Sequence, residues 1–318
     1  MSPQPVHSVR HTIGVAAPAT VVYGLLADAP RWPVLVPSHV HVERIDAAGS
    51  RQQLREQLRV WDLRAGHVRS STVRRVLRPQ HRLIDFEQQD THLPGAPARG
   101  TWTVEPDGTG HCLLTLHHHQ PAGPGEPPGS RQADVRALLA RVRESAEQWE
   151  RLDELLLSFE DSVHVDGPAE LVYDFLYRIG DWADLLPHVD SAAVTEDRPG
   201  VQIAALDTCA GETGETLSTR TVRLCFPHAG RIVYQDSAPS GLIAAHSGEW
   251  YLVPDEPGVR VVSAHRVMLR EQALTAALGE DALLVDARRQ VRERLGRAGT
   301  EALGLAKWHA ESAVRRLR

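Results

Sequence analysis

An internal repeat constrains the fold of this chain more than any other feature. Val15-Ala-Ala-Pro-Ala-Thr-Val-Val-Tyr23 resembles Val165-Asp-Gly-Pro-Ala-Glu-Leu-Val-Tyr173 at an offset of 150 residues. The same offset sets Trp32 on Trp182 and Pro37 on Pro187. Further on, the offset becomes 148: Arg75 and Pro79 match Arg223 and Pro227, and Gly100-Thr-Trp102 matches Gly248-Glu-Trp250. His117 then falls on His265. The period is too long for a solenoid, so this is a duplicated domain. A length of 318 residues suits two such domains.

Each copy reads in one order. A strand comes first, at 6–15 and at 158–165. Pro18 and Pro168 then open a short helix, where proline fits the first turn. Val21, Val22, Leu25 and Leu26 have helical spacing. The Trp-x-x-Leu-x-Pro stretch is a second short helix or turn. Six β-rich runs follow, broken by turn signals such as Pro106–Gly110 and Pro254–Gly258. A long helix closes each copy, at 131–157 and 281–316. The Pro- and Gly-rich segment 121–130 is a loop. The domains are therefore 1–157 and 158–318.

Composition excludes several functions. Net charge is −6, so there is no basic field for nucleic acid. Of 35 basic residues only Lys307 is a lysine, and asparagine is absent, which reads as a GC-rich genome. No run of about 18 apolar residues could span a membrane, and no secretory signal segment is visible. Cys112, Cys209 and Cys225 lack C-x-x-C spacing and suit free thiols in a cytoplasmic protein. No G-x-S-x-G and no phosphate loop occurs. Adjacent strand residues face opposite ways, so His117-His118-His119 makes a poor metal tract. No metal and no cofactor are expected.

The element order is that of a helix-grip fold. The fold class is α+β, with two tandem helix-grip (START-like) domains. In each, a curved antiparallel seven-stranded sheet wraps a long C-terminal helix and leaves an interior cavity suited to a bulky apolar ligand. The W-P-x-L-x-P segment, the R-R-x-L-x-P segment from Arg74 to Pro79, the G-x-W strand and the duplication resemble the two-domain polyketide aromatase/cyclases of bacterial type II polyketide synthases. The resemblance covers essentially the whole chain. It implies regiospecific aldol closure and dehydration of a poly-β-ketone held on an acyl carrier protein. For the two-domain members it implies either closure of the first ring between the seventh and twelfth carbons, which is the expectation for this chain, or aromatisation of a ring already closed. The expected partners are acyl carrier protein and other synthase subunits. A monomer is expected, since two fused copies can replace a dimer.

Such chemistry needs an enolate, a polarised carbonyl and a proton carrier. The resemblance turns Arg75 into the cavity, where it would be the cation, with Ser71 on the same strand face; Arg223 matches it in the second copy. The alternative for Arg75 is a surface arginine paired with a carboxylate. His39 stands where the family can carry a cavity tyrosine, and is read as acid or base or as a structural histidine. Trp32, Trp61 and Trp102, with Trp182 and Trp250, are cavity wall or plain core. His117 is a candidate proton carrier. His92 and His246 are candidates for the cavity mouths or for the surface. Thr219 and Thr221 are further polar groups of the second copy, where His188 is shifted by one from the place of His39. The first copy has the fuller acid/base set and is expected to carry the chemistry, with the second structural or accessory. A non-catalytic lipid or polyketide binder is the alternative, and a protein-interaction module of the same fold is a third.

Overall fold

The computed structural model describes residues 6–36, 38–91, 97–121, 130–186, 189–210 and 215–317. The chain divides into two compact units, Met1–Asp153 and Glu154–Arg318.

The first unit runs β1 (Val6–Val15), α1 (Ala19–Ala27), α2 (Trp32–Leu35), β2 (His39–Gly49), β3 (Leu54–Arg64), β4 (His67–Arg78), β5 (Leu83–Asp90), β6 (Ala98–Pro106), β7 (Cys112–Pro121) and α3 (Ser130–Glu147). A 3₁₀ turn and the short α4 (Leu152–Leu155) lead to the second unit. That unit repeats the order: β8 (Leu156–Val165), α5 (Ala169–Tyr177), α6 (Trp182–Leu185), β9 (Val189–Arg198), β10 (Val201–Ala210), β11 (Glu215–Phe226), β12 (Arg231–Asp236), β13 (Ile243–Asp255) and β14 (Gly258–Leu269). The short α7 (Leu274–Leu278) and the long α8 (Leu284–Leu317) close the chain. The helix expected over 131–157 is thus broken, and β8 begins two residues ahead of the expected strand.

Both sheets are seven-stranded antiparallel meanders whose first strand returns to pair with the last: β1-β7-β6-β5-β4-β3-β2 and β8-β14-β13-β12-β11-β10-β9. The two short helices make that crossing. In α1 the buried residues are Ala19, Val22, Tyr23 and Leu26, one helical face. Pro18 and Pro168 sit at the N-cap, just ahead of the first turn. The C-terminal helices cover the inner face of each sheet: Leu139, Val142 and Ala146 join the first core, and Leu303, Ala306 and Ala310 join the second.

Each long helix is tied to its sheet in the same way. The Glu147 carboxylate accepts from the Ala16 N–H at 3.1 Å, and the Glu311 carboxylate accepts from the Asp166 N–H at 3.0 Å. Lys307 adds a second tie, donating from Nζ to the His164 carbonyl at 2.6 Å and to Glu311 Oε1 at 2.8 Å.

The glycine of each G-x-W strand serves close approach. A Cβ on Gly100 would lie 2.6 Å from Phe86 Cζ, and one on Gly248 would lie 2.4 Å from Tyr234 Cζ. An aromatic ring therefore lies across the bare strand in each domain.

Candidate active site

The ends of α1 and α5 organise the two sites. A helix C-terminus leaves its last carbonyls without intrahelical partners and carries partial negative charge. In the first domain Trp32 Nε1 donates to Leu25 O at 3.2 Å, Arg75 Nη1 to Leu26 O at 2.8 Å, and Arg75 Nη2 to Ala27 O at 2.8 Å. In the second, Trp182 Nε1 donates to Phe175 O at 3.1 Å, Arg223 Nη2 donates to Leu176 O, and Gln202 Nε2 donates to Tyr177 O at 3.3 Å. The shared tryptophan and arginine therefore hold a helix end, and the duplication repeats the device carbonyl by carbonyl.

The two arginines differ in their partners. Arg75 lies on β4 at 3% exposure. Its Nε donates to Glu56 Oε1 at 2.8 Å, and Nη2 also reaches Glu56. Glu56 is buried on β3 and accepts from Arg44 Nε at 2.8 Å through its other oxygen. Arg223, at 1% exposure, has Gln202 in the register position of Glu56 and donates to its Oε1 at 2.9 Å. Its Nε has no partner among the described residues. Burial pulls both guanidiniums below their usual range, and Glu56 opposes that for Arg75. Nε, Nη1 and Nη2 of Arg75 are thus all engaged with protein, the carboxylate being one that sequence reasoning did not name.

Around Arg75 the structure gathers other expected residues. Its guanidinium lies over the Trp32 ring at 5.1 Å, a cation–π distance. His39 meets Trp32 edge-on at 5.1 Å and lies 3.5 Å from Asp62. Burial lowers the His39 pKa, with Asp62 opposing, so the imidazole is neutral near pH 7. Ser71 is buried on the same strand face as Arg75 and accepts from Gln88 Nε2 at 2.9 Å. Trp102 is buried in the core that includes Leu77, Ile84 and Leu116. Trp61 is set apart: it pairs with Ser70, while Val60 pairs with Ser71, so its ring occupies the opposite face beside His41.

The second domain buries a connected polar group. Trp250 Nε1 donates to Ser263 Oγ at 3.1 Å, and Ser263 Oγ is 3.0 Å from His265 Nε2. His265 Nδ1 is 3.2 Å from His246 Nε2 and 3.3 Å from the Tyr234 hydroxyl. Burial lowers His246 to about 3 and His265 to about 4, and raises Tyr234. Arg223 stands 5.6 Å over the Trp250 ring, and Trp182 packs against Trp250 at 6.1 Å. His246 is therefore a buried strand residue, inside the sheet and not at a mouth. Thr221 and Thr219 precede Arg223 on β11, and Thr219 reaches Leu206 O at 3.5 Å. His92 and His188 lie outside the described residues.

One expected residue is displaced by register. His117 is exposed, with Nε2 2.8 Å from Ser8 Oγ, and it shares the outer face with His119. The residue facing inward is His118, which pairs with Gly100 as His265 pairs with Gly248. The β6–β7 hairpin is one residue longer than β13–β14, and a one-residue slip reverses every side chain. His118 is 6% exposed, and neither ring nitrogen has a hydrogen-bond partner among the described residues. It stacks on His11 of β1 at 5.7 Å, whose Nε2 is also buried without a partner. Burial, with His11, His117 and His119 nearby, lowers the His118 pKa. Among the described residues no cluster of three or more His, Cys, Asp or Glu could hold a metal, and no helix is long and apolar enough to cross a membrane.

Comparison with known proteins places this architecture. Residues 6–156 match one family, and residues 165–293 a second, each described as polyketide cyclase/dehydrase and lipid transport. The granaticin polyketide synthase bifunctional cyclase/dehydratase of Streptomyces violaceoruber is 32% identical, over 98% of this chain and 95% of its own. The actinorhodin polyketide synthase bifunctional cyclase/dehydratase of Streptomyces coelicolor is also 32% identical, over 91% of this chain and 92% of its own. The crystal structure of the di-domain ARO/CYC BexL, from the BE-7585A biosynthetic pathway, is 36% identical with a TM-score of 0.83, covering 96% of this chain and 99% of that one. The repeat, the paired sheets and these matches agree, and the chain belongs to the polyketide cyclase/dehydrase family as a two-domain aromatase/cyclase.

Proposed function

We propose that this chain closes and aromatises the first ring of a poly-β-ketone carried on acyl carrier protein, between its seventh and twelfth carbons, and works beside the other synthase subunits. The first domain carries the chemistry. The supporting observation is His118: a buried, neutral imidazole on the inner face with both nitrogens unengaged among the described residues.

A neutral imidazole offers a lone pair at one nitrogen and an N–H at the other. His118 takes a proton from a methylene flanked by two carbonyls, and the resulting enolate carbon attacks a distant ketone. The imidazolium then protonates the new alkoxide. In the dehydration step His118 removes a proton beside a ketone, and the hydroxyl leaves as water with the proton returned by His118. General acid–base catalysis of this kind contributes about 10²–10⁴-fold. Arg75, held by Glu56 and two carbonyls, fixes the wall of Trp32 and His39, which shapes the bend of the chain. The corresponding histidine of the second domain, His265, is bonded to Ser263, His246 and Tyr234. That arrangement supports an accessory or binding role there.

A minimal type II synthase, with its acyl carrier protein, tests the reading. Added wild-type chain should convert the mixture of shunt products into one aromatised product with the seven–twelve closure, and His118→Gln should not. An unchanged product mixture with the wild-type chain rejects the function. Full conversion by His118→Gln rejects the assignment of the base.

A further inference from the structure

Enolisation needs a donor for the oxygen that gains charge as well as a base for the carbon. Arg75 was the natural donor by residue type. In the structure its Nε and both Nη atoms are engaged by Glu56, Leu26 O and Ala27 O, and Glu56 offsets its charge. Resting on the first-domain reading above, we propose that His11 supplies the donor: its Nε2–H receives the carbonyl oxygen of an enolising β-diketone while His118 takes the neighbouring carbon-bound proton.

Three observations support this assignment. The first is unmet hydrogen-bonding capacity. His11 Nε2 and both nitrogens of His118 are buried without partners among the described residues, although buried polar atoms are overwhelmingly paired. Three such atoms on two adjacent rings mark the place where a ligand carrying oxygen belongs. The second is geometry. His11 and His118 stack with planes 15° apart and centroids 5.7 Å apart. Neither ring hydrogen-bonds the other, and the register puts both on the inner face of the sheet, His11 opposite Leu116 and His118 opposite Val9. His11 lies opposite Leu116 in the β1–β7 register, between the inward-facing Val9 and Ile13.

The third is the contrast with the second domain. Asp161 takes the register position of His11, facing Ser263 as His11 faces Leu116. It is bound by Arg292 Nη2 at 2.7 Å from α8. His265, in the place of His118, is occupied by Ser263 and His246. The second domain engages Asp161 Oδ1 and both nitrogens of His265 with protein and leaves only Asp161 Oδ2 without a partner, whereas the first leaves His11 Nε2 and both nitrogens of His118 unengaged among the described residues.

The step balances without any co-reactant. The C–H bond of the central methylene breaks, its proton goes to His118, and the electron pair moves onto the carbonyl oxygen under the His11 N–H. His118 later returns that proton to the alkoxide or to the departing hydroxyl. His11 keeps its own proton throughout. Loss of one oxyanion donor costs about 10²–10³-fold.

Benzoylacetone deuterated at its central methylene is the probe, with deuterium washout followed by NMR in dilute buffer. The wild-type protein should accelerate washout. His11→Phe, which keeps the ring volume, should reduce the acceleration about a hundredfold, and His11→Gln, which keeps an N–H, should retain more of it. Both variants should keep the wild-type unfolding midpoint. Washout by His11→Phe at the wild-type rate overturns the proposal, as does wild-type protein that accelerates nothing beyond buffer. If the wild type washes out deuterium through His11 yet leaves polyketide products unchanged, the donor role stands and the ring-closing function falls.

Discussion

In the second domain a buried cation rests on a neutral amide: Arg223 Nη1 donates to Gln202 Oε1 at 2.9 Å. The first domain puts the Glu56 carboxylate in that place, against Arg75 and Arg44. One helix-end device therefore works with two charge states. Removing one partner of a buried ion pair costs about 3–5 kcal/mol because the other charge is left uncompensated. Glu56→Ala should lose that much in urea unfolding at pH 7. Glu56→Gln should lose less, since the second domain shows that an amide can serve. Equal losses would mean that charge, and not hydrogen bonding, holds the site.

Arg75 and Arg223 each cap a carbonyl that no helix residue can reach. Arg75→Ala should therefore lower stability as well as ring closure, and Arg75→Lys should recover little, because one ammonium cannot span Leu26 O, Ala27 O and Glu56 together. Hydrogen exchange of the α1 peptide reads the effect. Exchange unchanged in Arg75→Ala would remove the capping role.

The register places His118 inside and His117 outside. His117→Ala should leave polyketide ring closure at the wild-type level. His118→Ala should reduce it by about 10²-fold or more. Product yield from the reconstituted synthase decides between them, and the reverse order would reject the register argument.

Acid should weaken the second domain through His246 and His265. Burial holds them at about 3 and about 4 in the folded domain, below the ordinary histidine value of 6.5. Above pH 6.5 both are neutral folded and unfolded, and stability does not vary with them. As pH falls from 6.5 toward 4, the unfolded chain binds protons that the folded domain refuses, so stability drops. The slope approaches about 1.4 kcal/mol per pH unit for each histidine. Protection of β13 and β14 peptides against hydrogen exchange should fall across that window, and His246→Phe should reduce the slope. A flat profile would show that the pair is not held neutral.

Gly100→Ala should destabilise the first domain by about 1–3 kcal/mol, the cost of overpacking. The added Cβ would meet Phe86 and the His117 carbonyl, at 2.6 and 2.7 Å. Phe86→Ala in the same chain removes one of the two obstacles, and denaturation of single and double variants measures the coupling.

Much of this architecture is legible in the amino-acid sequence. The repeat, the Pro-initiated short helices and the run of β-rich segments lead to two seven-stranded sheets, because period and turn chemistry are local properties. The pairing of His265 with His118 was not legible. It depends on a hairpin one residue longer in the first copy, and a similarity search by residue type prefers His117. Glu56 and His11 escaped for a related reason. Each is a polar residue at an inward position of an apolar alternation: Leu54, Glu56, Leu58, Val60 in one strand and Val9, His11, Ile13 in the other. That alternation was the available signal. Arg75 drew attention as a cation, but its partners lie 19, 48 and 49 residues away in sequence, and no local pattern reports them.

Lys307 ties α8 to the edge of its sheet through the His164 carbonyl and Glu311. It is also the one lysine in the chain. Nature has thereby supplied a single-site chemical reporter. An amine-selective acylating reagent meets one ε-amino group, and that group is engaged only while the long helix is docked. The rate of labelling at Lys307, read by peptide mass, becomes a clock for how often the helix lifts from the second sheet.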